Sequence, residues 1–220
     1  MHAVGIVAAA GSGLRLGADR PKALVPLGGR ALVCWAVDTL VDGGVRDVVV
    51  AVPAAEHAAF ATVLPMDVRL VAGGATRTAS VRAALAAVGR RADAVLVHDA
   101  ARPLTPPDLV TRVLDALAAG ARAVVPVLSV VDTTVVVDDD GVVADTVDRA
   151  VLRRVQTPQG FAREALVDAY AWLPPDAELT DDAAVVRAAG IPVATVAGDE
   201  RAAKVTVPHD LALAELQVVR

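Results

Sequence analysis

Ala8-Ala9-Ala10-Gly11-Ser12-Gly13-Leu14-Arg15-Leu16-Gly17-Ala18-Asp19-Arg20-Pro21-Lys22 follows an apolar run, Ala3 to Val7, with the character of a buried strand. The loop carries three glycines, two arginines and one lysine. Glycine allows a tight turn and a close approach of backbone to ligand, and consecutive amides beside cations form a receptor for phosphate. The expectation is a triphosphate-binding loop at the carboxyl end of the first strand. The competing reading is a glycine-rich connection whose arginines are simply solvated. Two familiar phosphate signatures are excluded. G-x-G-x-x-G fails because Leu16 takes the third glycine position, and Val52-Pro53 ends the second strand where a ribose-binding acid would stand. The Gly-Lys-Ser/Thr of a P-loop is absent.

Strand-like and helix-like stretches alternate beyond this loop. Apolar runs at Val4–Val7, Val45–Val52, Val68–Val71, Ala94–Val97 and Ala123–Val127 predict strands. Ala31–Val41, Ala54–Leu64, Ala75–Val88 and Pro107–Ala119 predict helices between them, the last opening at proline and stopping at Gly120. Such alternation predicts an α/β fold with a Rossmann-like, doubly wound, mostly parallel sheet covered on both faces. Ligands then bind outside the carboxyl ends of the strands. Three of those ends are polar: the glycine loop, Gly73-Gly74-Ala75-Thr76-Arg77-Thr78-Ala79-Ser80, and His98-Asp99-Ala100-Ala101-Arg102-Pro103.

The rhythm changes after Val127. Thr133–Val137 and Val142–Val147 flank Asp138-Asp139-Asp140-Gly141, a strong hairpin signal. A lone hairpin is marginal and this one is largely apolar, so it is expected to protrude as an arm and pack on a second copy of the chain. The three aspartates are expected to form a solvated turn. Further on, Gln156–Phe161 is expected to be a loop, Arg163–Trp172 a helix, and Leu179-Thr180-Asp181-Asp182 a capped start to a helix over Ala183–Ala189. Ile191–Val196 predicts a last strand, Lys204–Thr206 a short extended piece, and Pro208–Val218 a terminal helix.

A length of 220 residues suits one domain, 1–220, with the arm as an excursion over about 130–150. A net charge of −5 argues against general nucleic-acid binding. With 55% hydrophobic and 2% aromatic residues, the core must be built from Ala, Val and Leu. Cys34 is the one cysteine, so no internal disulfide forms and a reducing, cytoplasmic setting is expected. Neither a signal peptide nor a membrane span is expected. Of 21 cationic residues, only Lys22 and Lys204 are lysine and the other 19 are arginine. A lysine ammonium is a compact charge on a flexible stem, and an arginine is a broad planar fork. Retention at two motif-like positions suggests a site that needs a point charge, against the alternative of chance survival at the surface. For Asp99, a metal-ligand role stands beside a helix cap or an ion pair with Arg102, and His98 is expected to be a structural neighbour.

Taken together, the chain resembles the 2-C-methyl-D-erythritol 4-phosphate cytidylyltransferase family of the non-mevalonate isoprenoid pathway. The resemblance rests on Ala-Ala-Gly-Ser-Gly-Leu-Arg with Pro21-Lys22, Gly73-Gly74 with Arg77 and Ser80, and His98-Asp99-Ala100-Ala101-Arg102-Pro103. It continues through Val147-Asp148-Arg149, Gln156-Thr157-Pro158-Gln159, Thr180-Asp181 and Lys204-Val205-Thr206. It implies transfer of CMP from CTP to 2-C-methyl-D-erythritol 4-phosphate, with release of pyrophosphate. It further implies that Arg15 and Lys22 hold the triphosphate, with Lys204 also at the reacting phosphates. Ala9, Ala10, Gly11, Gly13, Gly74 and Ser80 would line the nucleotide, and Asp99 would ligate Mg²⁺ or another hard divalent cation. Arg102 and Thr180 would meet the acceptor, and Thr133 and Arg149 would reach the neighbouring subunit's acceptor across a homodimer. The chain departs from the family at Ala75, where a polar residue is common, and at Ala202-Ala203, where Asn-Ile often precedes the lysine. A ribitol 5-phosphate cytidylyltransferase and a non-catalytic nucleotide-binding module are the competing functions.

Overall fold

The computed structural model describes residues 1–13, 16–174 and 177–218. β1 (Ala3–Ala8) leads through the glycine loop to two short paired strands, β2 (Pro26–Leu27) and β3 (Arg30–Ala31), and into α1 (Leu32–Asp42). β4 (Asp47–Val52), α2 (His57–Val63), β5 (Arg69–Ala72) and α3 (Arg77–Ala86) follow, then β6 (Ala94–Asp99), α4 (Pro107–Ala118) and β7 (Ala123–Ser129). β8 (Thr134–Val137) and β9 (Val143–Val147) form a hairpin. Next come β10 (Arg153–Val155), β11 (Gln159–Ala162), α5 (Arg163–Trp172), α6 (Asp182–Ala188), β12 (Ala194–Ala197) and α7 (Pro208–Val218).

The main sheet runs β10–β7–β11–β6–β1–β4–β5, with β12 also paired to β7. β1 lies parallel between β4 and β6, and β5 is parallel to β4. Residues of β1 alternate between faces: Val4 and Ile6 join the layer containing α3, α5 and α6, whereas Val7 joins that of α1, α2 and α4. Val, Ala and Leu fill both layers, with Phe60 and Phe161 fully buried. Cys34 belongs to this core, and its thiol donates to the Val63 carbonyl at 3.3 Å.

One stretch expected to be a loop is a strand. β6 and β7 run in the same direction, and β11 lies antiparallel between them. Gln159-Gly160-Phe161-Ala162 contains no β-branched residue, so local pattern is silent. The slot between two parallel strands imposes the extended conformation. Glycine is required there, because a Cβ on Gly160 would lie 2.3 Å from Val113 Cγ1 of α4. Residues 204–206, expected to be an extended piece, lie in no strand. They are fixed instead by a bond from the Val205 amide to the Ala101 carbonyl at 2.8 Å.

Among the described residues the hairpin of β8 and β9 pairs only with itself. Asp138 Oδ1 accepts from the Asp140 and Val142 amides at 3.1 and 2.8 Å, closing the turn. No residue from 127 to 155 is buried. Among the described residues no helix is long and apolar enough to cross a membrane.

Candidate active site

The strand order reverses around β1: the chain proceeds outward to β4 and β5, then returns to place β6 on the other side of β1. A crevice opens at such a point, outside the carboxyl ends. Register brings Ala8 of β1 level with Asp99, the last residue of β6. The glycine loop and the aspartate are therefore neighbours although about 90 positions separate them in sequence. Gly13 takes a left-handed conformation, φ +76°, and a Cβ there would lie 3.0 Å from the Lys22 amide nitrogen. The Lys22 amide in turn donates to the Gly11 carbonyl at 3.2 Å. The loop thus folds back and delivers Lys22 to the crevice.

A cavity of about 570 Å³ occupies this crevice. Ala9, Ala10, Gly11, Gly13, Gly74 and Ser80 line it, as do Lys22, Asp99 and Lys204. Arg15 lies outside the described residues. The Ser80 hydroxyl is engaged with its own loop: it accepts from the Gly74 amide at 3.1 Å and lies 2.8 Å from the Thr76 carbonyl. It shapes the Gly73-Gly74 turn from within. Thr76 caps α3 by accepting from the Ala79 amide at 3.1 Å.

Asp99 is the electrostatic centre. Arg77 Nε donates to its Oδ1 at 3.1 Å and Lys204 Nζ to its Oδ2 at 2.7 Å. Burial works to raise the carboxyl's affinity for protons, yet the charges of Arg77 and then Lys204 outweigh it and hold Asp99 well below the usual carboxylate range. Arg102, proposed from sequence as a possible ion-pair partner, directs its hydrogen bonds elsewhere: to the carbonyls of Ala202 at 2.6 Å and Val155 at 3.3 Å. His98 is fully buried; burial lowers its pKa to about 4, so it is neutral. Its Nδ1 sits 2.8 Å from Thr157 Oγ1, which also accepts from the Asp99 amide at 3.1 Å. It is a structural neighbour of the site, as its sequence position suggested.

Lys204 reaches Asp99 because its backbone is anchored on both sides. Gln156 clamps Asp199, donating to its carbonyl at 2.8 Å and accepting from its amide at 3.0 Å. Arg102 holds the Ala202 carbonyl, and Val205 is tied to Ala101. The hydrogen bonds at Ala202 are made by its backbone, the oxygen accepting from Arg102 and the amide donating to the Asp199 carbonyl, so none of them needs a longer side chain. A smaller cavity of about 150 Å³ shares Arg77, Asp99 and Lys204 with the large one and is also lined by Arg102 and Thr180. Asp181, and not Thr180, caps α6, accepting from the Ala184 amide at 2.8 Å.

Thr133 and Arg149 line neither cavity. Both are exposed on the arm, where Arg149 Nη1 donates to the Val131 carbonyl at 2.6 Å. In the sequence, Arg77, Gln156 and Thr157 stand inside motifs that assign them no task, and Asp182 reads only as a cap candidate. The structure puts Arg77 between Asp99 and a fully buried Asp182. A basic residue shortly after Gly-Gly at a strand's carboxyl end was the available signal.

Among the described residues no group of three or more His, Cys, Asp or Glu could hold a metal on its own. The chemistry of Asp99 fits a divalent cation that shares its coordination with phosphate and water. A carboxylate offers about four lone-pair sites, and the two cations engage only two of them.

A family model described as 2-C-methyl-D-erythritol 4-phosphate cytidylyltransferase matches residues 3–220. A protein of that name from Nocardia farcinica is 54% identical over 215 residues, covering 96% of this chain and 92% of the relative. One from Rhodococcus jostii is 51% identical, with coverage of 98% and 94%. The crystal structure of the protein of that name from Thermus thermophilus superposes with a TM-score of 0.84 at 38% identity, covering all of both chains.

Proposed function

We infer the reaction from one premise: this chain belongs to the 2-C-methyl-D-erythritol 4-phosphate cytidylyltransferase family. It is a cytidylyltransferase that moves CMP from CTP to 2-C-methyl-D-erythritol 4-phosphate and releases pyrophosphate. The observation that carries the residue-level reading is the meeting of the only two lysines, Lys22 and Lys204, in the wall of one cavity with the glycine loop and Asp99.

The acceptor phosphate supplies the nucleophilic oxygen and is already an anion. It forms a bond to the α-phosphorus as the bond to the pyrophosphate oxygen breaks, and no proton need move. The barrier lies in bringing two polyanions into line, which calls for fixed positive charge and alignment. The glycine-loop amides and Lys22 take the triphosphate, with Arg15 assigned to the same task from its place in the loop. Lys204 stands between the large cavity and the small one, which suits a charge that serves both the leaving and the attacking phosphates. Arg102 and Thr180 face the acceptor in the small cavity. Asp99 is the residue that would hold a divalent cation, which when bound neutralises phosphate charge.

The arm, over about 130–150 of the single catalytic unit 1–220, leaves apolar side chains exposed, Val131 at 70% and Val142 at 61%. We assign it to a homodimer in which Thr133 and Arg149 serve the neighbouring subunit's acceptor. The lone, buried Cys34 accords with a cytoplasmic setting. The decisive assay measures pyrophosphate release for a panel of polyol phosphates against the four nucleoside triphosphates. The expected result is turnover with CTP and 2-C-methyl-D-erythritol 4-phosphate. Preference for ribitol 5-phosphate, or tight CTP binding without turnover on any acceptor, would overturn the assignment.

A further inference from the structure

Asp182 is fully buried at the first position of α6, and the transfer chemistry above gives it no task. A carboxylate in such surroundings is costly unless its partners satisfy it, so those partners define what it can do. Its Oδ1 accepts from the Tyr170 hydroxyl at 2.7 Å, and its Oδ2 forms an ion pair with Arg77 Nη2 at 2.7 Å, outside hydrogen-bond geometry, so charge couples these two. Arg77 Nε donates to Asp99. Nε and Nη2 share one edge of a planar guanidinium, so carboxylates from two different elements hold that edge. Tyr170 is itself fixed, with the Arg82 guanidinium 5.9 Å from its ring centre. Arg82 also donates to the Leu173 and Pro174 carbonyls at 3.0 and 3.1 Å. A continuous line of contacts, Tyr170–Asp182–Arg77–Asp99–Lys204, runs from α5 to the cavity wall.

We propose that Asp182 is a positioning residue for cytidylyl transfer: by holding one end of the Arg77 edge, it fixes the orientation in which Asp99 presents its carboxylate to the triphosphate cavity. The inference rests on the reaction assigned above. Without the Asp182 charge, Arg77 faces Asp99 alone and draws that carboxylate toward itself, away from a bound cation. Outer-sphere partners of this kind commonly alter metal affinity or activity by about 10–100-fold. A contact that merely ties α6 to α3 would act on folding and on all ligands alike.

The test is Asp182→Asn in the full chain, which keeps the size and an acceptor for Tyr170 while removing the charge. CTP binding is measured by calorimetry without acceptor, once with Mg²⁺ and once with chelator. The expected result is binding about 10-fold weaker with Mg²⁺ and changed less than about 2-fold with chelator. Turnover should need about 10-fold more Mg²⁺ for half its maximum. In an Arg77→Gln background the same substitution should add less than about 2-fold, because the two act as one unit. If circular dichroism shows that Asp182→Asn does not fold, Tyr170→Phe replaces it, with the same signature at about 3-fold. Equal weakening with and without Mg²⁺, losses that multiply in the double variant, or wild-type behaviour of the replacement would overturn the proposal. Failure of the assigned reaction would show separately, as absent pyrophosphate release by the wild type, since the calorimetry uses no acceptor.

Discussion

The crevice and the arm carry the same kinds of side chain in opposite settings. In the crevice, Asp99 is paired on both oxygens, Arg77 bridges two carboxylates, and Arg102 is bonded to buried backbone. On the arm, no residue between 127 and 155 is buried, and the Arg149 guanidinium bonds an exposed carbonyl, that of Val131. Charges in the crevice are oriented before any ligand arrives, in surroundings where electrostatics is strong. Those on the arm are exposed to solvent, where interactions between charges are screened. The difference predicts that the crevice governs the chemical step and the arm governs the acceptor and the assembly.

The sharpest way to break that contrast is to alter a crevice lysine. Lys204→Ala leaves Asp99 with Arg77 as its one hydrogen-bonding cation and removes a charge from between the two cavities. Turnover should fall by about 10²–10³-fold in steady-state kinetics. Lys22→Arg should lose about 10²-fold although the charge is kept, because a planar fork replaces a compact ammonium. Near-normal turnover in either variant would remove the crevice from the chemical step.

The arm is tested by complementation. Arg149→Ala should raise the acceptor KM by about 10-fold and leave that of CTP within about 2-fold. Co-expressed with Lys22→Ala and assayed well below the acceptor KM, it should recover about a quarter of wild-type activity if the proposed homodimer forms, since half of randomly paired dimers are then mixed and each mixed dimer has one intact site. No recovery would mean that Arg149 serves its own subunit or none. Val136→Asp should shift sedimentation toward the monomer, because it puts a charge on the apolar hairpin.

The smallest expected effect concerns stability. His98 is held neutral, with its folded pKa at about 4 below the ordinary 6.5, by burial and by nearby Arg102, with Asp99 opposing. The unfolded chain therefore binds more protons between those values. The contribution is complete above about pH 6.5 and is lost as pH falls toward about 4, on the order of 3 kcal/mol at most. Denaturant titrations in chelator should show this acid slope, and His98→Asn should flatten it. An arm residue such as Asp139, exposed in the turn, should give no change when converted to Asn.

Legibility differed between the regions for physical reasons. The parallel strands β1, β4 and β6 are continuous apolar runs, so their pattern announces them. Asp138-Asp139-Asp140-Gly141 encodes a turn in four residues and needs no distant partner. β11 was hidden because neighbours, not its own residues, make it a strand. The pairing of Asp99 was half legible. A carboxylate among cations was visible, but Arg102 is three residues away and its bonds go elsewhere, whereas Arg77 and Lys204 come from distant elements.

By itself the sequence determined the alternating α/β order, the glycine loop, the arm hairpin and the family, because these are set by local pattern and by motifs short enough to stand in one stretch. The resemblance puts Lys22 and Lys204 at the same phosphates, and the fold lines one cavity with both; the tertiary structure alone decided that Arg77 joins Asp99 to Asp182 and that Gln156 anchors the Lys204 segment. Each of these depends on strand order and register, which bring together residues that are far apart along the chain. No local propensity encodes that proximity.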